Sequence, residues 1–163
     1  MQTIVNIRVD ERLIHGQVAS AWANTLKATR IMVVDDFASQ DEIQKMALKM
    51  ACPNACKLSI LPVKKAVENL LAEKYEGDRI FMVMKGPEVL VQMLDLGFKF
   101  NEINVGNMSS GFGTKQIKRS VSVTTEDVEN FKLLKSRGIK MHAQMVPSES
   151  DIDFMSLIEK MKI

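Results

Sequence analysis

Short apolar runs alternate with amphipathic stretches along nearly the whole chain, and this rhythm restricts the fold more than any other feature. Ile4-Val5-Asn6-Ile7, Ile31-Met32-Val33-Val34, Leu58-Ser59-Ile60-Leu61, Ile80-Phe81-Met82-Val83-Met84 and Ile103-Asn104-Val105 read as strands. The unbroken apolarity of residues 80–84 implies burial on both faces. Between the strands, apolar residues recur at helical spacing: Val18, Ala21, Trp22, Thr25 and Leu26, then Ile43, Met46, Ala47 and Met50, then Val63, Ala66, Val67, Leu70 and Leu71. Ser39 with Glu42, and Thr124 with Asp127, have the spacing of reciprocal helix caps. Pro62 and Pro87 open helices, and Gly97 and Gly138 close them. Val121-Ser122-Val123 is a further short strand, residues 139–145 alternate as a half-wet strand, and Phe154, Leu157, Ile158 and Met161 define a last helix. Strand and helix in such succession build right-handed crossovers and a parallel sheet. The expectation is an α/β fold: a single open, mostly parallel, doubly wound sheet with helices on both faces and an antiparallel edge, forming one domain over residues 1–163.

Composition closes off other classes. A chain of 163 residues with 46% hydrophobic and 26% charged residues has a globular core rather than disorder. Its longest apolar run is about five residues, against the roughly 20 that span a bilayer. The N-terminus lacks the basic and apolar segments of a signal peptide, which places the chain in the cytosol. Twenty-two basic against 20 acidic residues is no footprint for nucleic acid. Cys52 and Cys56 stand alone, without the further ligands that zinc requires, so neither metal nor redox chemistry is expected.

In an open parallel sheet, ligands bind beyond the carboxyl ends of the strands. The loop after the first strand is the richest in chemistry: Arg8-Val9-Asp10-Glu11-Arg12-Leu13-Ile14-His15-Gly16-Gln17. His15 falls where the loop becomes a helix. The amides of Gly16, Gln17 and Val18 there lack intrahelical partners and, with the helix dipole, favour an anion. Gly16 keeps that approach open. Arg8 and Arg12 are suited to gripping phosphate oxygens, and Asp10 to fixing an arginine or the imidazole tautomer. A positioned nucleophile with charge stabilisation is what phosphoryl transfer demands. A capping histidine in a loop of solvated ion pairs has the same spacing, and spacing alone does not separate the two.

The residues also carry a resemblance. Arg8 through Val18 resembles the phosphorylation-site segment of the IIB components of the bacterial sugar phosphotransferase system, in the mannose/fructose/sorbose family. Val33-Val34-Asp35-Asp36, Asn104-Val105-Gly106-Asn107-Met108 and residues 138–147 extend it over nearly the whole chain. The loop Ser109-Ser110-Gly111-Phe112-Gly113 is smaller and more flexible than that family's pattern. Beginning at its first strand, the chain is similar to a free-standing IIB protein. The resemblance implies a phosphocarrier that accepts a phosphoryl group from a IIA phosphohistidine onto His15, through Nδ1. It then passes the group to a sugar held by the membrane IIC and IID components. Arg8, Asp10 and Arg12 would be the supporting charges, and Gly16 and Gln17 the phosphoryl-binding backbone. No cofactor is implied, since the group is carried covalently. The chain would be cytoplasmic, associated peripherally with the permease. The resemblance leaves open the sugar (mannose, fructose, sorbose or N-acetylgalactosamine) and any homo-oligomer.

The competing readings are a non-catalytic phosphate-binding module and a receiver-type regulator phosphorylated on Asp35 or Asp36. Those two acids could instead hold Mg²⁺ or orient Arg12, but a plain loop is favoured. The receiver reading is disfavoured because Leu61-Pro62 stands where a receiver places its phosphorylated aspartate. His142 falls on a polar strand face with Lys140 and Gln144, as a structural residue. Lys115, Lys118 and Arg119 form a small basic cluster at an edge, and Trp22 is assigned to the core.

Overall fold

The computed structural model describes residues 1–161. Nine strands and six helices follow one another as β1 (Thr3–Asp10), α1 (Gly16–Leu26), β2 (Arg30–Val34), α2 (Glu42–Ala51), β3 (Lys57–Leu61), α3 (Val63–Leu71), β4 (Arg79–Met84), α4 (Pro87–Asp95), β5 (Glu102–Asn107), β6 (Lys115–Lys118), β7 (Val121–Val123), α5 (Thr125–Ser136), β8 (Lys140–Ala143), β9 (Ile152–Asp153) and α6 (Phe154–Glu159). Seven strands form one sheet in the order β3-β2-β4-β1-β5-β8-β9, and β6 with β7 makes a separate antiparallel hairpin. All pairings in the large sheet are parallel except β8 with β9, which supplies the expected antiparallel edge.

The two faces bury different sets of residues, because successive side chains of a strand point to opposite sides. On one face Ile7, Val9, Met32, Val34, Ile80, Met82, Ile103 and Val105 pack with residues of α3, α4, α5 and α6. Phe131 of α5 meets Phe154 of α6 edge to face at 4.7 Å, which adds about 0.5–1.5 kcal/mol beyond burial. On the other face Ile31, Val33, Phe81 and Val83 pack beneath Ala19, Trp22 and Ala23 of α1 and Leu48 of α2.

Three local expectations are corrected. In α1 the inward residues are Ala19, Trp22 and Ala23 with half-buried Val18 and Leu26, while Ala21 and Thr25 are exposed. In α2 the expected apolar face points outward, with Ile43 and Met50 each 83% exposed and Met46 and Ala47 also exposed. Gln44, Lys45, Leu48 and Ala51 face inward instead. The period is helical either way, and a short 3-10 turn at Ala38–Gln40 stands between β2 and α2. Asp41, not Ser39, caps α2, its carboxylate accepting from the amides of Ile43 and Gln44, while Ser39 Oγ donates to the Asp36 carbonyl. Around α5 the capping box of Thr124 and Asp127 forms as expected.

This topology also decides where a site can open. The connection leaving β1 runs over one face toward β2, and the connection leaving β5 runs through α5 on the other face toward β8. β1 and β5 are neighbours, so their carboxyl ends border the crevice where the winding direction reverses, the usual ligand position in such sheets.

Candidate functional site

β1 ends at Asp10, whose carboxylate is 1% exposed and fully engaged. Its Oδ1 accepts from the backbone amide and from Nε of Arg12, both at 3.0 Å. Its Oδ2 accepts from an Arg12 Nη at 3.0 Å and from Arg8 at 3.2 Å. The grip on Arg12 is bidentate, the geometry that suits guanidinium and carboxylate best. The other Nη of Arg12 has no partner among the described residues.

The chain then turns sharply, the Leu13 amide donating to the Asp10 carbonyl at 2.8 Å. Leu13 adopts a left-handed conformation, φ 63°, which costs a residue with a Cβ about 1–2 kcal/mol. Burial of the Leu13 and Ile14 side chains offsets that cost and anchors the loop. His15 next to them is exposed. It occupies the N-cap of α1 with extended backbone, its carbonyl accepting from Ala19, while its imidazole makes no capping bond. The first turn of α1 holds no acidic residue, so no carboxylate of its own neutralises the positive end of the helix. Beside Gly16, the space a Cβ would occupy is open.

Arg8 departs from the sequence-based expectation that it reaches an anion. It is 1% exposed and turns inward. Its guanidinium donates to the carbonyls of Gln144 and Met145, each at 2.9 Å, and lies 5.4 Å from the centre of the Trp22 ring. Burial lowers its pKa, an effect the neighbouring Asp10 carboxylate counteracts. Its position behind Asp10 makes it a support for the site rather than a surface for a phosphoryl group.

Several residues of this support were not legible in the sequence. Trp22, assigned only to the core, also donates from Nε1 to the Met145 carbonyl at 2.9 Å. Gly106 gives room for Arg8: a Cβ there would lie 2.1 Å from the guanidinium. Glu149 accepts from the Met145 amide at 2.8 Å and pairs with Lys118, which is therefore not part of a free basic cluster. Burial acts to raise the Glu149 pKa, but Lys118 and the amides of Met145 and Val146 prevail and hold it below the usual value. Glu11 accepts from the Ser109 amide at 2.6 Å, tying the His15 loop to the glycine-rich loop after β5. At the tip of that loop Phe112 is fully exposed.

Asp35 and Asp36 are spent on structure. Asp35 accepts from the Ala38 amide and lies 3.9 Å from Lys85, and Asp36 accepts from the Val63 amide at the start of α3. Neither is bonded to Arg12, whose carboxylate partner is Asp10. Cys52 and Cys56 are free thiols, Cys52 pushed up to about 11 mainly by burial, and no cluster suited to a metal occurs among the described residues.

An exposed imidazole at a helix N-terminus, three residues after an arginine held by a buried carboxylate, is suited to an anion at the carboxyl end of an open parallel α/β sheet. Residues 4–163 match the family described as the PTS system sorbose subfamily IIB component, and the chain belongs to it. It is 33% identical over 158 residues to the fructose-specific EIIB component of Bacillus subtilis, covering 97% of each chain. It is also 33% identical to the mannose-specific EIIAB component of Escherichia coli, covering 94% of this chain but 47% of that longer protein. The crystal structure of the IIB domain of the Klebsiella pneumoniae sorbose permease superposes with a TM-score of 0.93 at 28% identity, covering 98% of both chains. IIB components take a phosphoryl group from IIA and pass it to a sugar, so the chain is a sugar phosphotransferase whose partners are a IIA donor and the membrane IIC and IID components. Among the described residues no helix is long and apolar enough to cross a membrane.

Proposed function

We propose that His15 carries the phosphoryl group. The observation that supports this most directly is the exposed imidazole on the N-cap of α1, with Arg12 locked alongside in sequence by Asp10. In the first step His15 Nδ1 attacks the phosphorus of the IIA phosphohistidine. A new N–P bond forms as the donor's N–P bond breaks, and the donor imidazole leaves with the electron pair. In the second step a sugar hydroxyl oxygen attacks, the His15 N–P bond breaks, and the hydroxyl proton passes to the freed imidazole. The amides of Gly16 and Gln17 and the free Nη of Arg12 stabilise the charge that develops on the phosphoryl oxygens.

Asp10 fixes the direction of the Arg12 guanidinium, and Arg8 holds Asp10 and the 144–145 carbonyls from behind. The group is carried covalently, so the cycle needs neither cofactor nor metal. All these residues come from one chain working as a single IIB domain over residues 1–163, so no second copy is required. The protein acts in the cytoplasm, docking IIA and the membrane components in turn over the surface around His15, at the periphery of the permease. Exposed Phe112 and Phe37 lie in loops at the carboxyl end of the sheet and offer that surface apolar contacts.

The test is intact-mass detection of phosphorylation from phosphoenolpyruvate through the system's enzyme I, its histidine phosphocarrier and a IIA protein of this family. One acid-labile phosphoryl group is expected on the wild type and none on His15→Ala. Undiminished uptake by the variant would overturn the assignment.

A further inference from the structure

Helix α2 carries an apolar stripe that no other element covers among the described residues. Of its six exposed residues, Ile43, Met46, Ala47 and Met50 are apolar, and they follow one another at i, i+3, i+4 and i+7. Ile43 and Met50 are 83% exposed and Met46 is 63% exposed. These three side chains open roughly 400 Å² of contiguous apolar surface, as much as the largest patch on an ordinary monomer. The other two exposed residues, Glu42 and Lys49, stand about two turns, or roughly 10 Å, apart along the axis. Both therefore lie on the same edge of the stripe, an acid at its start and a base at its end.

We propose that this stripe is the contact between two copies of the chain, which pack α2 against α2 in antiparallel fashion about a two-fold axis. The charge pattern carries the choice of a second copy. An axis through the middle of the stripe, perpendicular to the helix, sets the start of one helix beside the end of the other. It also keeps the two charged edges on one side, so Glu42 of each copy meets Lys49 of the other. Within one chain Glu42 has only an exposed pair with Lys45 at 3.5 Å, and Lys49 has no partner among the described residues. A parallel pair would instead set Glu42 against Glu42 and Lys49 against Lys49. The apolar residues match under the same axis: Ile43 faces Met50, and Ala47 leaves a hollow for the flexible Met46 of the facing copy.

The size of the surface sets the strength of the pair. Two such stripes with their charged edges bury about 1,000 Å² in total, the lower bound for a specific interface. Association is therefore weak, and the chain is a monomer in dilute solution. A lipid surface fits less well, because helices that lie on membranes are rich in basic residues, whereas Asp41 and Glu42 stand at the start of α2. Since α2 crosses back between the parallel strands β2 and β3, it runs opposite to them. Antiparallel helices then place the carboxyl ends of the two sheets at opposite poles. Each His15 stays open to its own partners, and phosphoryl transfer does not require the pair.

The experiment is sedimentation velocity of the full chain at low salt, from about 10 µM to about 500 µM, the range in which a weak pair dissociates. The average mass is expected to rise from 18.3 kDa toward twice that value. Met46→Glu, which brings like charges together across the axis, should weaken association about tenfold or more. Ile43→Gln is a second variant of the stripe should Met46→Glu fail to fold. Glu42→Lys and Lys49→Glu should each weaken association, and the double exchange should restore it, because the antiparallel pair regenerates both ion pairs. A mass of 18.3 kDa at every concentration, or association that the stripe variants leave intact, would overturn the proposal. Single exchanges without effect, or a double exchange that fails to restore what they lose, would overturn it equally. So would binding to phosphatidylglycerol vesicles without self-association, which would assign the stripe to a lipid surface. Phosphorylation of His15, read separately by intact mass, should be unchanged in Met46→Glu, so the two assignments can fail independently.

Discussion

Asp10 holds Arg12 by three hydrogen bonds of 3.0 Å, from its backbone amide, its Nε and one Nη, while the same buried carboxylate neutralises Arg8. One acid thus serves a partly exposed arginine, proposed to meet the phosphoryl group, and an inward arginine that holds the scaffold. The two arginines are separable by mutation because their surroundings differ.

Arg12→Ala removes a partly exposed side chain with few core contacts. Its expected cost to stability is about 1–2 kcal/mol, because buried Asp10 loses two hydrogen bonds but keeps Arg8 and the backbone amide of residue 12. Loss of one charge-stabilising donor is expected to slow phosphoryl transfer about a hundredfold. Rates of His15 phosphorylation, set beside melting curves, check both; a large drop in Tm would make Arg12 structural instead.

Asp10→Asn should behave differently, because it leaves the buried Arg8 charge uncompensated. Breaking a buried pair from one side costs about 3–5 kcal/mol, so urea unfolding should show a larger loss than Arg12→Ala does. Transfer should fall as well, since Arg12 loses its orientation.

Gly106→Ala places a methyl group where the Arg8 guanidinium lies, and that guanidinium is pinned by Gln144, Met145 and Asp10. Overpacking of this kind costs about 1–3 kcal/mol. In an Arg8→Gln background the shorter side chain should relieve the clash, so a double-mutant cycle should show strong coupling. Additive effects would contradict this account of the glycine.

Helix α2 offers a test of its unexpected orientation. Replacing Ile43, Met46 or Met50 by Gln should change stability by no more than about 0.5 kcal/mol, whereas Leu48→Ala should cost about 2–5 kcal/mol. Denaturant midpoints of the four variants distinguish an outward from an inward stripe directly.

Acid sensitivity should trace partly to Asp78. Burial acts to raise its pKa, but hydrogen bonds from Arg30 and Thr29 and the charges of Arg30 and Lys57 prevail, holding it below its ordinary 3.8. The unfolded chain therefore takes up this proton first as pH falls. The stabilisation is complete above pH 3.8 and is lost as pH drops through the lower folded value. Asp78→Asn should flatten this limb of the stability curve, which thermal melts between neutral pH and pH 3 or below would show.

Much of the fold was legible because its signals are local. The capping box at Thr124 and Asp127 and the proline at the start of α4 are made by residues within one turn of each other. The His15 segment was legible for the same reason, its nucleophile, glycine and arginines lying close together in the chain. What misled was equally specific. Ile43, Met46, Ala47 and Met50 have a valid helical period but the wrong phase, because Gln44, Lys45, Leu48 and Ala51 repeat as well and only tertiary packing chooses between them.

The sequence by itself determined the elements and the loop that bears His15, since strand and helix periods and caps depend on near neighbours. Tertiary structure decided that β1 lies between β4 and β5, which opens the crevice at its carboxyl end. It also decided that Arg8 turns inward. That choice rests on the carbonyl of Gln144, 136 residues further along, and on the empty space at Gly106. A guanidinium can be buried only where carbonyls, a carboxylate and room converge on it, and folding alone brings such distant groups together.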